Sequence, residues 1–248
     1  MMFFITLISC FSPTAPFSEP TPPVPIIPGT CHTINLEDSL HVGGLYGSAS
    51  IGPSRIFLAD EERVEVIDRE TKSTFSFLVN GEINQLLYNN GSLWIAAGTG
   101  GLQRWTPNTS RGTTSRWTRG SDIVSLALNN GNLWAADITG RVWVVPTDAK
   151  STDNAASLVV DGWPTRVTSW GNGVLVHGEG GPLEAVTLLG NGVLTTTDSS
   201  SVSTYSQIAT FGDVAYAAHL NRIERTGTDP SASLVLPFDI VAIEAVSQ

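Results

Sequence analysis

The chain has 248 residues, of which 41% are hydrophobic and only 15% charged, and it contains 24 glycines. This length and composition are typical of a single all-β domain built from short strands and tight turns. With 13 basic and 23 acidic residues the formal net charge is −10, so nucleic acid and anionic lipid surfaces are unfavourable partners. A cationic partner is compatible with this charge but is not required by it.

The first ten residues predict a targeting segment. Residues 1–9 are apolar, and they lead into Leu7-Ile8-Ser9-Cys10, which resembles the lipobox of bacterial lipoproteins. The resemblance implies a lipid on Cys10 and a protein anchored at the cell envelope, on the periplasmic side or on the outer surface. A plain cleaved signal peptide or a mispredicted start codon are the alternatives.

Residues 11–30 form the second predicted segment, a proline-rich linker. The run Pro20-Thr21-Pro22-Pro23-Val24-Pro25 continues to Pro28, and fixed φ angles together with missing N–H donors favour an extended spacer. Cys31 is then the only free thiol, or it forms a disulfide with Cys10 if no lipid is added. No later apolar stretch approaches the roughly 18 residues that a membrane-spanning helix needs.

Residues 31–248 form the predicted domain, and a five-fold repeat dominates it. Each copy has a small-residue turn, an aliphatic and aromatic run that usually ends in alanine, and a glycine-rich turn. Anchor residues of successive copies are separated by 37, 40, 41 and 40 residues: Ile56, Leu93, Leu133, Val174 and Val214. A period near 40 is that of four-stranded propeller blades, so the sequence predicts an all-β β-propeller of about five blades, with a possible incomplete sixth.

Each repeat divides into four short predicted strands. In the third repeat they are 123–128, 133–136, 141–145 and 157–160, and in the second repeat 83–88, 93–97, 102–106 and 115–118. Alanines at the end of the second strand predict close packing between blades: Ala59, Ala96, Ala136 and Ala217. Trp94 and Trp134 recur in register and are predicted to lie between blades, whereas Trp117, Trp163 and Trp170 are expected to be exposed.

The third predicted strand of the first repeat carries a recognisable pattern. Val64-Glu65-Val66-Ile67-Asp68 resembles the bacterial β-propeller repeats of the LVIVD and NHL-like kind, and the resemblance extends over about residues 40–248. Later copies such as Leu183-Glu184-Ala185-Val186-Thr187 lack the aspartate. The resemblance implies a propeller and assigns no functional residue.

The closure of the ring is left open by the sequence. Residues 240–246 alternate like the inner strand of a sixth unit. Either this segment and residues 31–36 add to existing blades and seal a five-bladed ring, or the chain is truncated and a sixth blade is incomplete, which would expose a sheet edge.

Five residues near predicted turns are candidate ligand-binding residues: His177, Glu179, His219, Asp60 and Asp137. His177 replaces the alanine of other repeats, and departures from a repeat pattern are places where function is added. Asp60 and Asp137 occupy equivalent turns and could form an acidic rim. The alternatives are a buried packing histidine and solvated turn carboxylates. No catalytic residue, metal site or cofactor is predicted, since paired ligands with the required spacing are lacking.

Two functions are compatible with these features. The first is a non-enzymatic scaffold, monomeric and envelope-anchored, that presents its loops to a protein or glycan partner. The second is a polysaccharide hydrolase or lyase with His177, Glu179 and His219 at the mouth of the ring. The lack of a catalytic constellation favours the scaffold. Membrane contact is expected only through the lipid, and no nucleic-acid partner is expected.

Overall fold

The structure is a computed structural model. It describes residues 47–107, 112–117, 121–149, 155–179, 183–190, 192–200, 207–211, 214–219, 222–226 and 233–235, all within the compact unit Gly44–Gln248. The targeting segment with Cys10, the linker and the two predicted closing segments lie outside the described residues. The predictions made for them therefore stay predictions.

The described residues form five antiparallel four-stranded sheets, and none of these residues is helical. The first sheet contains β1 (Ser48–Ile51), β2 (Arg55–Asp60), β3 (Arg63–Asp68) and β4 (Thr74–Leu78). The second contains β5 (Gln85–Asn89), β6 (Ser92–Ala96), β7 (Leu102–Thr106) and β8 (Thr113–Arg116). The third contains β9 (Ile123–Asn129), β10 (Asn132–Asp137), β11 (Arg141–Pro146) and β12 (Ala156–Val159). The fourth contains β13 (Trp163–Trp170), β14 (Gly173–Glu179), β15 (Leu183–Leu188) and β16 (Leu194–Ser200). The fifth is β17 (Gln207–Phe211), β18 (Val214–His219), β19 (Arg222–Thr226), β20 (Ser233–Val235). Within the described residues, no helix of a length and apolarity suited to crossing a membrane is found.

Strand order within every sheet follows chain order, so each sheet is a meander. This arrangement confirms the predicted fold class of four-stranded blades. The four strands predicted for the third repeat match β9 to β12 to within one or two residues. In the second repeat the first strand starts at Gln85 rather than Ile83, and the fourth ends at Arg116 rather than Thr118.

The sheets pack face to face in chain order, with inner strands β1, β5, β9, β13 and β17 adjoining in succession. Apolar faces meet at each of the four described interfaces and form separate buried clusters. Trp94 and Trp134 are fully buried at equivalent places, each followed two residues later by a buried alanine, Ala96 or Ala136. The large ring and the small methyl group together allow close approach of neighbouring sheets, as predicted.

The fifth repeat begins one residue later than the sequence pattern indicated. Val214 pairs with Phe211 beside the hairpin turn, and Ala215 is the next residue, which is buried in the cluster of Leu175 and Leu183 between the fourth and fifth sheets. Ala215 pairs with Thr210 of the inner strand. Tyr216 consequently occupies the place of Trp134, and it is 40% exposed. Both anchors are small and apolar, so only strand pairing distinguishes them.

Polar side chains link successive inner strands across the sheet interfaces. The N–H of Leu86 in β5 donates to Ser48 Oγ of β1 at 2.9 Å. At the other end of the series Thr210 Oγ1 of β17 donates to the Ser169 carbonyl of β13 at 2.5 Å. Inner strands have one edge without a neighbouring strand, and these side chains supply partners to backbone groups on that edge.

The hydrogen bonds between the inner strands β5, β9 and β13 form one connected network. The Leu126 N–H donates to Gln85 Oε1 at 2.7 Å, and Gln85 Nε2 donates to the Leu126 carbonyl at 3.0 Å. Ser125 Oγ lies 2.9 Å from Gln85 Oε1 and accepts from the Val167 N–H at 3.1 Å. One serine hydroxyl therefore connects β5, β9 and β13.

Replacing Ser125 by alanine tests the importance of this linkage. We expect a loss of about 1–3 kcal/mol in the free energy of unfolding, because the buried Val167 N–H loses its acceptor. Chemical denaturation measures the change. The matched control is Ser157→Ala on the exposed outer strand β12, where a change within about 0.5 kcal/mol is expected. Equal effects of the two substitutions would contradict the structural role of Ser125.

Candidate functional site

The candidate residues lie toward one end of the sheets. In a meander the turn between the second and third strands lies at the same end as the connection to the next sheet, and we call this the connection end. Asp60, Asp137, Glu179 and His219 are the last residues of β2, β10, β14 and β18, and His177 lies two residues before the end of β14. The fold thus places all five at the connection end, each on the second strand of a sheet.

Asp60 is held within its own hairpin. Its Oδ2 lies 3.0 Å from Arg63 Nη2, with the two side chains 43% and 51% exposed. An exposed ion pair of this kind contributes about 0–1 kcal/mol. The carboxylate therefore remains accessible from solvent, although part of its charge is balanced by Arg63.

Asp137 has a structural task in the turn that follows β10. Its Oδ1 accepts the Thr139 N–H at 2.9 Å, the Thr139 hydroxyl at 2.5 Å and the Arg141 N–H at 3.1 Å. The side chain is buried. These bonds are those of an aspartate that closes a turn on itself. Asp137 lies at a turn as the sequence predicted, but it is buried and not a solvated turn carboxylate.

The aspartate of the third-strand pattern has the same kind of role at the opposite end. Asp68 Oδ1 accepts the N–H groups of Glu70 and Thr71 at 3.0 and 2.8 Å. The backbone hydrogen bond from Thr71 is the main cause that lowers the pKa of this carboxyl. The Asp68 pattern therefore encodes a tight turn.

His177 is buried in β14, opposite Arg166 of β13. Burial lowers the pKa of the imidazole, and the charge of Arg166 lowers it further. Alternation along β14 places His177 on the same face as Leu175, toward the fifth sheet. A neutral imidazole at this place suits a packing role.

The enzyme alternative depends on side chains that the structure does not describe. The backbones of Glu179 and His219 are placed, but their side chains lie outside the described part of the chain. The hydrolase or lyase prediction, and the binding role of the five candidates, therefore stay predictions. Among the described residues, no group of three or more His, Cys, Asp and Glu is arranged to hold a metal ion.

An exposed apolar surface at the connection end was found only in the structure. Ile138, Val159 and Trp163 are 47%, 62% and 64% exposed. Val159 lies beside Gly140, where a Cβ would lie 3.7 Å from Val159 Cγ1 and 3.3 Å from the Gly162 carbonyl oxygen. Ile138 lies two residues before Gly140 in the chain, and Trp163 directly follows Gly162. We call Ile138, Val159 and Trp163 the junction patch, since Val159 and Trp163 flank the connection from the third sheet to the fourth and Ile138 belongs to the turn that is hydrogen-bonded to this connection.

Only one member of the junction patch was marked by the sequence. The expected exposure of Trp163 is confirmed, whereas Trp117 and Trp170 are half-buried against clusters between sheets. Ile138 and Val159 carry no signal of their own, since an aliphatic residue at a strand end is also expected in a core. Their proximity follows from the return of β12 beside β11.

Comparison with known proteins identifies the fold. No protein-family model matches the sequence, and no curated protein is significantly similar to it. Solved structures do match. The β-propeller domain of Cps50 (Swd1) from Myceliophteria thermophila aligns with a TM-score of 0.65 and 10% identity over 80% of this chain and 76% of that one.

Two further solved structures agree with this match. The Pan2 WD40 domain of Neurospora crassa aligns with a TM-score of 0.63 and 7% identity, covering 81% of this chain and 69% of that one. The computationally designed Ika8 protein gives 0.64 and 14%, covering 82% of this chain and 65% of that one. At these identities the likeness concerns the fold, and the described domain is a β-propeller.

The pH dependence of stability tests the assignment of His177. Because the folded pKa is lowered, the stabilising contribution of His177 relative to alanine is present above the ordinary histidine pKa and is lost as pH falls through the folded pKa. We expect His177→Ala to cost about 0.5–3 kcal/mol near pH 7 and less near pH 5. Urea denaturation at the two pH values measures this. A cost that is independent of pH would contradict burial of a neutral imidazole.

Proposed function

We propose that this β-propeller is a non-enzymatic scaffold that binds a protein partner through the connection end. The observation that carries the proposal is the junction patch, where an exposed tryptophan and two exposed aliphatic residues lie at the connection end, on the connection between two sheets and on the turn bonded to it. Tryptophan is enriched among residues that dominate the energy of protein interfaces. WD40 propellers are among the solved structures of similar fold, which is compatible with this role.

Charge favours a partner segment with basic residues. The chain carries a net charge of −10, and exposed acidic residues lie at the connection end, among them Glu61, Glu62 and Asp161. A cationic segment with an apolar side chain would place that side chain against Trp163 and a basic group beside Asp161, two residues away in the chain. Such complementarity raises the association rate and selects against acidic partners.

Replacing Trp163 by alanine tests the surface. We expect loss of most partner binding, about 2 kcal/mol or more, as for a central interface tryptophan. The melting temperature should change little, because Trp163 is exposed. Capture of proteins from the source cells on the immobilised domain, followed by titration of the captured partner, measures the effect.

The matched control is Leu189→Ala, an exposed aliphatic residue at the opposite end of the fourth sheet. This control should bind as the unchanged protein does. Equal binding by the Trp163→Ala protein and the unchanged protein would overturn the assignment of the surface. Binding of a polysaccharide that depends on Trp163 would instead identify a glycan partner, since sugars also stack on exposed indole rings.

We also propose that the scaffold is anchored at the cell envelope through Cys10 and belongs with the LVIVD and NHL-like bacterial repeats. The lipobox-like sequence and the following proline-rich spacer support an anchored domain held away from the membrane surface. The Val64–Asp68 pattern supports the repeat type.

Metabolic labelling with radioactive palmitate tests the anchor. The full chain should incorporate label and partition with membranes, and Cys10→Ala should abolish both. Cys31→Ser is the control and should leave labelling unchanged. Labelling that persists in the Cys10→Ala protein, or is absent from the unchanged protein, would contradict lipidation at Cys10.

A further inference from the structure

A buried carboxyl group lies at the connection between the third and fourth sheets. Glu184 of β15 is only 7% exposed, and its Oε1 accepts the Asp161 N–H at 2.6 Å. Asp161 belongs to the connection itself, next to Val160, whose N–H donates to the Gly140 carbonyl at 2.8 Å. A glutamate at this depth is unusual, since carboxylates are rarely buried without a charged partner.

The second sheet shows what an uncharged side chain does at the same place. Gln103 of β7 pairs with Ile95 of β6, and Glu184 of β15 pairs with Val176 of β14. Gln103 and Glu184 therefore occupy corresponding positions in the repeat. Gln103 Nε2 donates to the Asn80 carbonyl at 2.7 Å, and its Oε1 accepts the Asn80 N–H at 3.4 Å. The amide therefore holds both backbone groups of one residue.

Asn80 and Asp161 also correspond within the repeat. A buried valine precedes each of these two residues, Val79 before Asn80 and Val160 before Asp161. The valine N–H donates to the carbonyl of the residue that immediately precedes the third strand, which is Glu62 for Val79 and Gly140 for Val160. The two junctions thus share their backbone arrangement. They differ in the side chain that spans them, an amide in one and a carboxyl in the other.

The surroundings of Glu184 oppose its negative charge. Burial is the main cause that raises the pKa of this carboxyl, the hydrogen bond from the Asp161 N–H lowers it, and the nearby charge of Asp161 raises it. Strand alternation places Val176 and Val186 on the same face as Glu184, in an apolar cluster. On the strands packed around it, the charged or titratable Arg141, Arg166 and His177 occupy positions on the opposite faces of their sheets.

We infer that Glu184 is a proton-dependent clamp on the connection between the third and fourth sheets. A protonated carboxyl has one O–H donor and one carbonyl acceptor, so it can hold the carbonyl and the N–H of Asp161 together, as Gln103 holds those of Asn80. The ionised carboxylate has acceptors only and retains the N–H bond alone. The connection is therefore held by two bonds in acid and by one in base.

The clamp acts on the segment that carries two of the three residues of the junction patch. Val159 and Trp163 lie on either side of Asp161 in the chain, and the clamp holds the backbone between them. The inference that protonation alters partner binding rests on the proposed function. The clamp itself does not, because its effect on stability can be measured without a partner.

Exchanging the two side chains tests the clamp. Since the folded pKa of Glu184 is raised, its contribution to stability is greatest below the unfolded pKa and is lost as pH rises through the folded pKa. Glu184→Gln should therefore raise the melting temperature by about 2–4 °C near pH 8 and by much less near pH 4. Gln103→Glu should do the reverse, with a lower melting temperature near pH 8 that recovers in acid.

The control is Glu62→Gln, an exposed carboxylate at the connection end, which should give no pH-dependent difference.

The carboxyl carbon of Glu184, followed by NMR, should titrate above the ordinary glutamate range, and Asp161→Asn should move that titration to lower pH. A pH-independent effect of Glu184→Gln, or an ordinary titration of Glu184, would overturn the clamp. A confirmed clamp with pH-independent partner binding would reject only the link to the proposed function.

Discussion

The unpaired edge of each inner strand is the constraint on which the rest of this structure depends. A four-stranded meander pairs every strand internally except at its two edges, and the inner edge faces the neighbouring inner strands, where backbone groups need partners. The chain meets this need with side chains of the preceding sheet: Ser48 for Leu86, Gln85 for Leu126 and Ser125 for Val167. These bonds link the inner strands of successive sheets, whose apolar faces pack against each other.

Burial between those faces supplies the main favourable free energy of the fold. The faces fit because a large ring on one strand is followed by a small methyl group, as at Trp94 with Ala96 and Trp134 with Ala136. The first interface differs, since it is filled by stacked and edge-on aromatic rings. Phe57 and Tyr88 stack with centroids 5.6 Å apart. Different side chains can thus build equivalent interfaces as long as volume and strand alternation are preserved.

The sheets of this repeat protein differ from one another in the polar residues that they carry at corresponding positions. The position on the third strand that bonds to the preceding connection is occupied by glutamine in the second sheet and by glutamate in the fourth, so the same backbone arrangement acquires a titratable group. Likewise the end of the second strand carries Asp137, which closes a turn, and the place before it in the fourth sheet carries His177, which is buried. The two junctions at Gln103 and Glu184 share their backbone arrangement, so such a substitution can add a property to one of them without altering the other.

The sequence by itself determined the all-β fold, the four-stranded unit and most strand positions, because turn residues and hydrophobic alternation are local signals that each copy repeats. It also marked Trp94 and Trp134 as core residues and Trp163 as exposed. Only the tertiary structure decided the register of the fifth repeat, the buried state of Glu184 and the exposure of Ile138 and Val159 at the same junction as Trp163. These features depend on which strands lie side by side across connections and sheet interfaces, and that is a property of contacts between residues that are distant in the chain.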